Sequence, residues 1–129
     1  MTLENVVKHQ PIRLIQFFVI LAGFTVMGLI RGGDQMVLQL NDLILHYCGY
    51  IILMISALIA FQKPIYFLVV LLFFYSVGIE IIQFYLPYRT FSMLDLIANM
   101  VGLFSGAILW LCAMRIKPEF FVRMIKDGD

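Results

Sequence analysis

The chain has 129 residues, 63% of them hydrophobic and only 13% charged, with a formal net charge of +1 and a mean hydropathy of +0.99. That leaves too little polar surface for a water-soluble fold or an added soluble module, and the small net charge gives no basis for a nucleic-acid partner. Four apolar runs follow in order, at residues 14–30, 42–61, 65–86 and 94–114, with a tail at 115–129. Each run is close to the ~20 residues a helix needs to cross ~30 Å of hydrocarbon. None alternates with the two-residue period of a barrel strand. The chain reads as an all-α integral membrane protein, a single domain over 1–129 built as a four-transmembrane-helix bundle.

Lys8 and Arg13 give the first run a basic lead-in, but its length and the poor cleavage context of "LIRGGDQ" favour a retained first helix. Segment 31–41, "RGGDQMVLQLN", is the longest connection at that end, and Gly32-Gly33 makes its start flexible. The basic residues then orient the bundle. Lys8, Arg13, Lys63, Arg115, Lys117, Arg123 and Lys126 fall on one side, Arg31 and Arg89 on the other. Positive charge collects in cytoplasmic loops, so both termini are expected in the cytoplasm. In the tail, Phe120, Phe121, Met124 and Ile125 share one helical side while Arg123 and Lys126 lean away, the pattern of a short interfacial helix. Cys48 and Cys112 sit near opposite membrane faces, too far apart for a disulfide. Their spacing defines no metal site, and no cofactor is expected.

Polar residues concentrate at the expected outer ends of helices two, three and four. Asp42, His46 and Tyr50 recur every four residues and form one stripe. Ser76, Glu80 and Gln83 share a face of the third helix, and Asp95, Asn99, Gly102 and Gly106 a face of the fourth. Counting from Pro87 and Ser92, Glu80 and Asn99 are each expected about 10 Å below a helix end, with His46 and Asp95 about 5–6 Å in. Arg89 falls in the turn above them.

Several of these residues have simpler explanations. Ser92 followed three residues later by Asp95 resembles a capping box, and Asn41-Asp42 could cap the second helix. Gly102-x-x-x-Gly106 is small-residue spacing for close helix packing. His46 alone reads as a hydrogen-bonded interior histidine, and Tyr88 and Phe91 as interfacial belt residues. Glu80 resists such readings. About two turns inside a helix, it has no cap to make, and burial penalises its charged form unless a cation helps. A charge at the centre of a membrane helix costs roughly 2.5–3.5 kcal/mol on insertion scales, so an intramembrane carboxylate is a functional candidate. Its expected partners are His46 and Arg89.

The segment "NDLILHYCGY" resembles the D-K-x-x-H-F-x-x-Y opening of VanZ-like proteins. The segment "IEIIQFYLPYRTFSMLDLIANMVGLFSG" resembles their E-x-x-Q-x-x-x-P-x-R-x-x-S-x-x-D-x-x-x-N-x-x-G-x-x-x-G signature. The resemblance spans residues 40–110. It marks Asp42, His46, Tyr50, Glu80, Gln83, Arg89, Asp95 and Asn99 as the characteristic positions, with Leu43 standing where the family usually has lysine. It implies a multi-pass protein of the bacterial cytoplasmic membrane and a link to teicoplanin-type glycopeptide susceptibility, without supplying a reaction.

Four classes of function follow, the last a purely structural accessory role. In the first, His46, Glu80 and Asp95 carry acid–base chemistry on an envelope lipid or lipid-linked cell-wall precursor, while Asp42, Tyr50, Gln83, Arg89 and Asn99 bind it. A divalent cation on Asp42, Glu80 and Asp95 is conceivable there, although no ligand spacing diagnoses it. In the second, the same residues bind and shield a lipid without turnover. In the third, a homo-oligomer, most simply a dimer, acts as a small transporter, against which stands the lack of polar groups in the cytoplasmic half.

Overall fold

The computed structural model describes residues 3–29, 37–116 and 118–119, and among these it is all helix and turn. Helix α1 spans Leu3–Leu29, α2 Val37–Phe61, α3 Ile65–Phe84 and α4 Met93–Ile116. Each contains a stretch long and apolar enough to cross a membrane: Gln10–Leu29, Asp42–Phe61, Ile65–Phe84 and Met93–Ile116. The interfacial helix expected at 120–126 and the connection around Gly32-Gly33 lie outside the described residues.

Four helix boundaries depart from the apolar runs by two residues or more, α4 running on to Ile116. Helix α1 begins at Leu3, well before the apolar run, with Pro11 inside it, because helix geometry continues past the point where hydrophobicity stops. Helix α2 begins at Val37, so Asn41 and Asp42 lie inside it and the expected cap at that pair is overturned. Helix α3 ends at Phe84, two residues early. Pro87 disfavours helical backbone at Leu86, and the last turn tightens through Tyr85 N–H to Ile82 O and Leu86 N–H to Gln83 O, at 3.1 and 3.0 Å.

Helix α2 is the hub. It packs on α4 most extensively, and on α1 and α3 as well. Its Leu53, Met54 and Ala57 are fully enclosed, joined in the core by Leu68 and Leu72 of α3 and Leu103 and Ala107 of α4. The buried stripe of α4 runs Asn99, Gly102, Leu103, Gly106, Ala107, the spacing of one helical face. Opposite faces present Phe18, Phe74, Ile97 and Phe104 outward, as lipid contact requires.

Glycines set the α2–α4 distance. A Cβ on Gly102 would lie 2.5 Å from the Tyr47 carbonyl oxygen, and one on Gly106 2.9 Å from that of Ile51. Helix α1 is attached differently, through polar ties at separate levels. Gln16 Nε2 donates to Ser56 Oγ at 2.7 Å, and the Thr25 and Tyr75 hydroxyls pair at 2.6 Å. Gly49 leaves room on α2 for the Phe24 ring, which a Cβ there would strike. The turn from α2 to α3 places Gln62 at φ 48°, the left-handed conformation that ends many helices. Cys48 and Cys112 are both free and exposed.

Candidate functional site

The polar residues of α2, α3 and α4 meet at the end of the bundle where α1 and α3 finish and α2 and α4 begin. The α4 side is built first by its cap. Ser92 Oγ accepts from the Asp95 backbone N–H at 3.2 Å, the N-cap half of a capping box. In the full box the acid three residues on reaches back to the N-cap backbone N–H. Here that N–H donates instead to Glu80 Oε2 at 3.1 Å. Glu80 therefore does the work of the box acid from another helix, and the Asp95 carboxylate is released to face α2.

What Asp95 faces is His46, with Nε2 and Oδ2 3.9 Å apart and both side chains mostly enclosed. The other ring nitrogen, Nδ1, is 2.9 Å from Asn99 Oδ1. Asn99 Nδ2 in turn donates to Ser76 Oγ at 2.9 Å, with the amide oxygen toward the ring. In that orientation the amide oxygen accepts from Nδ1–H, and Nε2 is the nitrogen turned to Asp95. The chain Ser76, Asn99, His46, Asp95 thus crosses three helices.

Glu80 is completely buried, as are Asn99 and Ser76 to within 1%. It meets neither expected partner. Its one hydrogen bond among the described residues comes from Ser92, and Oε1 has no partner. It lies within Coulombic reach of Asp95, His46 and Asp42. Helix α3 ends four residues after Glu80, so the residue is about one turn from the end, near 6 Å, and less deep than counting from Pro87 implied. His46, nine residues into α2, is correspondingly further from its helix start than expected.

Arg89 pairs with Asp42 rather than Glu80, with Nη1 3.2 Å from Oδ2. It also takes part in a set that sequence reasoning missed. Arg89 Nη2, Gln83 Nε2 and the Tyr88 hydroxyl donate to the carbonyls of Met27, Gly28 and Leu29, at 3.5, 2.7 and 3.2 Å. Terminal carbonyls lack partners within their own helix and carry the negative end of the helix dipole, so a guanidinium and two neutral donors suit them. Gln83, expected to bind substrate, is turned away from His46 toward α1. Nothing local in the sequence marks these contacts, because each joins positions more than fifty residues apart.

The structure thus gathers Asp42, His46, Asp95 and Asn99, with Glu80 linked through Ser92, Arg89 at the rim and Tyr50 deeper in. A small cavity of about 40 Å³ adjoins them between α1, α2 and α3. Asp42, His46 and Tyr50 line one side of it, and Phe24, Met27 and Ile79 the other. Ligand atoms of Asp42, His46 and Asp95 all lie within 4.8 Å of one another. Chemically, the site offers a histidine of defined tautomer, carboxylates in a dry setting and a guanidinium at the mouth.

No curated protein and no solved structure matches the chain. Residues 9–115 match the VanZ/LLP1 family. That match takes in all four apolar helices and every residue of the site, and the chain belongs to the VanZ/LLP1 family, as a multi-pass membrane protein of the VanZ type.

Proposed function

We propose that this protein handles or modifies an envelope lipid, or a lipid-linked cell-wall precursor, at the outer face of the bacterial cytoplasmic membrane. The observation that carries the reading is Glu80, fully buried, with one carboxylate oxygen left without a partner and the other bonded to Ser92 at the start of α4. A fold gains nothing from an enclosed carboxylate oxygen with no donor, and such unsatisfied groups recur where chemistry or a ligand needs them. His46 and Asp95 act as the acid–base pair, and Arg89 receives an anionic head group at the mouth. The excess of basic residues on the termini side supports an outward-facing site. Altered exposure or processing of the precursor would then lower susceptibility to teicoplanin-type glycopeptides.

The cavity of about 40 Å³ has room for a few waters and none for a head group, so the substrate engages the rim unless the helices part. A second reading, non-catalytic binding that shields the lipid, is favoured by one observation. Arg89 and Gln83 are already engaged with α1 carbonyls, a structural commitment that fits a rigid binding surface. The test is purified protein in vesicles carrying a panel of phospholipids and a lipid-linked cell-wall precursor, with products read by mass spectrometry. The catalytic reading expects a new lipid product that disappears in Glu80→Gln and His46→Ala. Retained binding with no product in any variant favours shielding, and neither product nor binding across the panel refutes both.

A further inference from the structure

The arrangement around His46 leaves a gap that its own side chains do not fill. With Nδ1–H committed to Asn99, a neutral imidazole turns the lone pair of Nε2 toward the carboxylate of Asp95 at 3.9 Å. Two electron-rich atoms facing each other in a dry site call for positive charge between them. Among the described residues at this end, Asp42, Glu80 and Asp95 stand against the single guanidinium of Arg89. A divalent cation would balance them.

We propose that Asp42, His46 and Asp95 hold one divalent metal ion of the zinc or manganese kind. One imidazole nitrogen with two carboxylates is a donor set both metals accept. Three atoms within 4.8 Å of one another, His46 Nε2 and Asp95 Oδ2 at 3.9 Å, have a common centre up to about 2.8 Å from each, against metal–ligand bonds of about 2.0–2.2 Å. A contraction of up to about 0.7 Å closes the site, within the reach of side-chain rotation at Asp42 and Asp95.

Two independent observations point the same way. The hydrogen bond of Nδ1–H to Asn99, itself held by Ser76, is the outer-shell arrangement that orients a metal-binding histidine and presents its other nitrogen. Fully buried Glu80 Oε1, within Coulombic reach of all three ligands, lacks a donor that a water carried by the cation would supply. The adjoining cavity, lined by Asp42 and His46 though not by Glu80, has room for a water on the open side of the cation. The cation set read from sequence named Glu80; the structure puts His46 in its place. With the metal bound, His46 and Asp95 serve as its ligands instead of as an acid–base pair, and the site stands whether or not a lipid is turned over.

The experiment uses the full chain in detergent, stripped with chelator and dialysed against zinc or manganese chloride, with metal counted by mass spectrometry. One metal per chain is expected. His46→Ala or Asp95→Asn should weaken it at least 100-fold, and Asn99→Ala about 10- to 100-fold. Because a variant can fail to fold, zinc-edge X-ray absorption on the wild type gives a second reading: one imidazole among oxygen ligands. Sub-stoichiometric metal, binding unchanged by His46→Ala, or a shell without imidazole overturns the proposal in favour of a protonated His46 bridging the gap.

Discussion

Replacing Gly102 by alanine tests how the α2–α4 contact positions the site. The new Cβ would sit 2.5 Å from the Tyr47 carbonyl oxygen and 3.0 Å from Tyr50 Cβ. A carbon–oxygen contact closes comfortably at about 3.3 Å, so the two helices must part by roughly 0.8 Å at that level. Neither atom can rotate away, one being backbone and the other fixed to it. Overpacking of this kind costs about 1–3 kcal/mol, and alanine returns at most about 1 kcal/mol of helix preference. The expected net loss is up to about 2 kcal/mol. Gly78→Ala on α3 is the control, because its Cβ would meet nothing within 4 Å and the preference is gained without a clash. Thermal unfolding in detergent, followed by circular dichroism, should place Gly102→Ala below wild type and Gly78→Ala at or above it, by a few degrees each. Parting the helices should also lengthen the His46–Asn99 hydrogen bond one turn away. If Gly102→Ala melts with or above Gly78→Ala, the close approach and the site geometry resting on it are wrong.

Asn99→Leu leaves His46 Nδ1 and Ser76 without their partner in a buried setting, and should cost about 2–4 kcal/mol. Nitrogen NMR of the His46 ring should show the Nδ1–H form in wild type and lose that preference in the variant; an Nε2–H form in wild type would contradict the assignment. Arg89→Ala removes the Asp42 pair and a donor to α1, and should destabilise by about 1–2 kcal/mol in the same melting assay. No change would show that these contacts are idle. Gln62→Gly relieves a side chain held at φ 48° and should stabilise by up to about 1 kcal/mol; a lower melting temperature would count against that backbone conformation.

Much of this architecture was legible because lipid imposes few rules and the sequence obeys them. Four apolar stretches had to be helices, since only helices satisfy their own backbone groups in hydrocarbon. Ser92 as a cap and Gly102 and Gly106 as packing residues are local patterns, and the structure places each where its chemistry makes sense. The pairing of charges was not legible. Glu80, His46, Arg89, Asp42 and Asp95 allow several combinations, and helix rotation decides among them. That Ser92 N–H would bond Glu80 and free Asp95 follows from how the α3–α4 turn folds back. The start of α2 was misread because Arg31–Gln35 and Asn41 frame 31–41 as one polar connection, yet nothing in Val37–Asn41 breaks a helix. The ties of Gln83, Tyr88 and Arg89 to α1 carbonyls had no signal at all, since backbone acceptors carry no residue identity.

The most direct test of the central claim, that Glu80, His46 and Asp95 form a functional site rather than a structural ion cluster, is the melting temperature of Glu80→Gln and Asp95→Asn beside wild type, all three stripped of metal so that ligand stabilisation does not enter. Functional groups are held at some expense of stability, so each amide, nearly the same shape and uncharged, should melt at or above wild type. Breaking a buried structural pair instead costs about 3–5 kcal/mol. Two variants that both melt many degrees early would make the cluster scaffold and contradict the account.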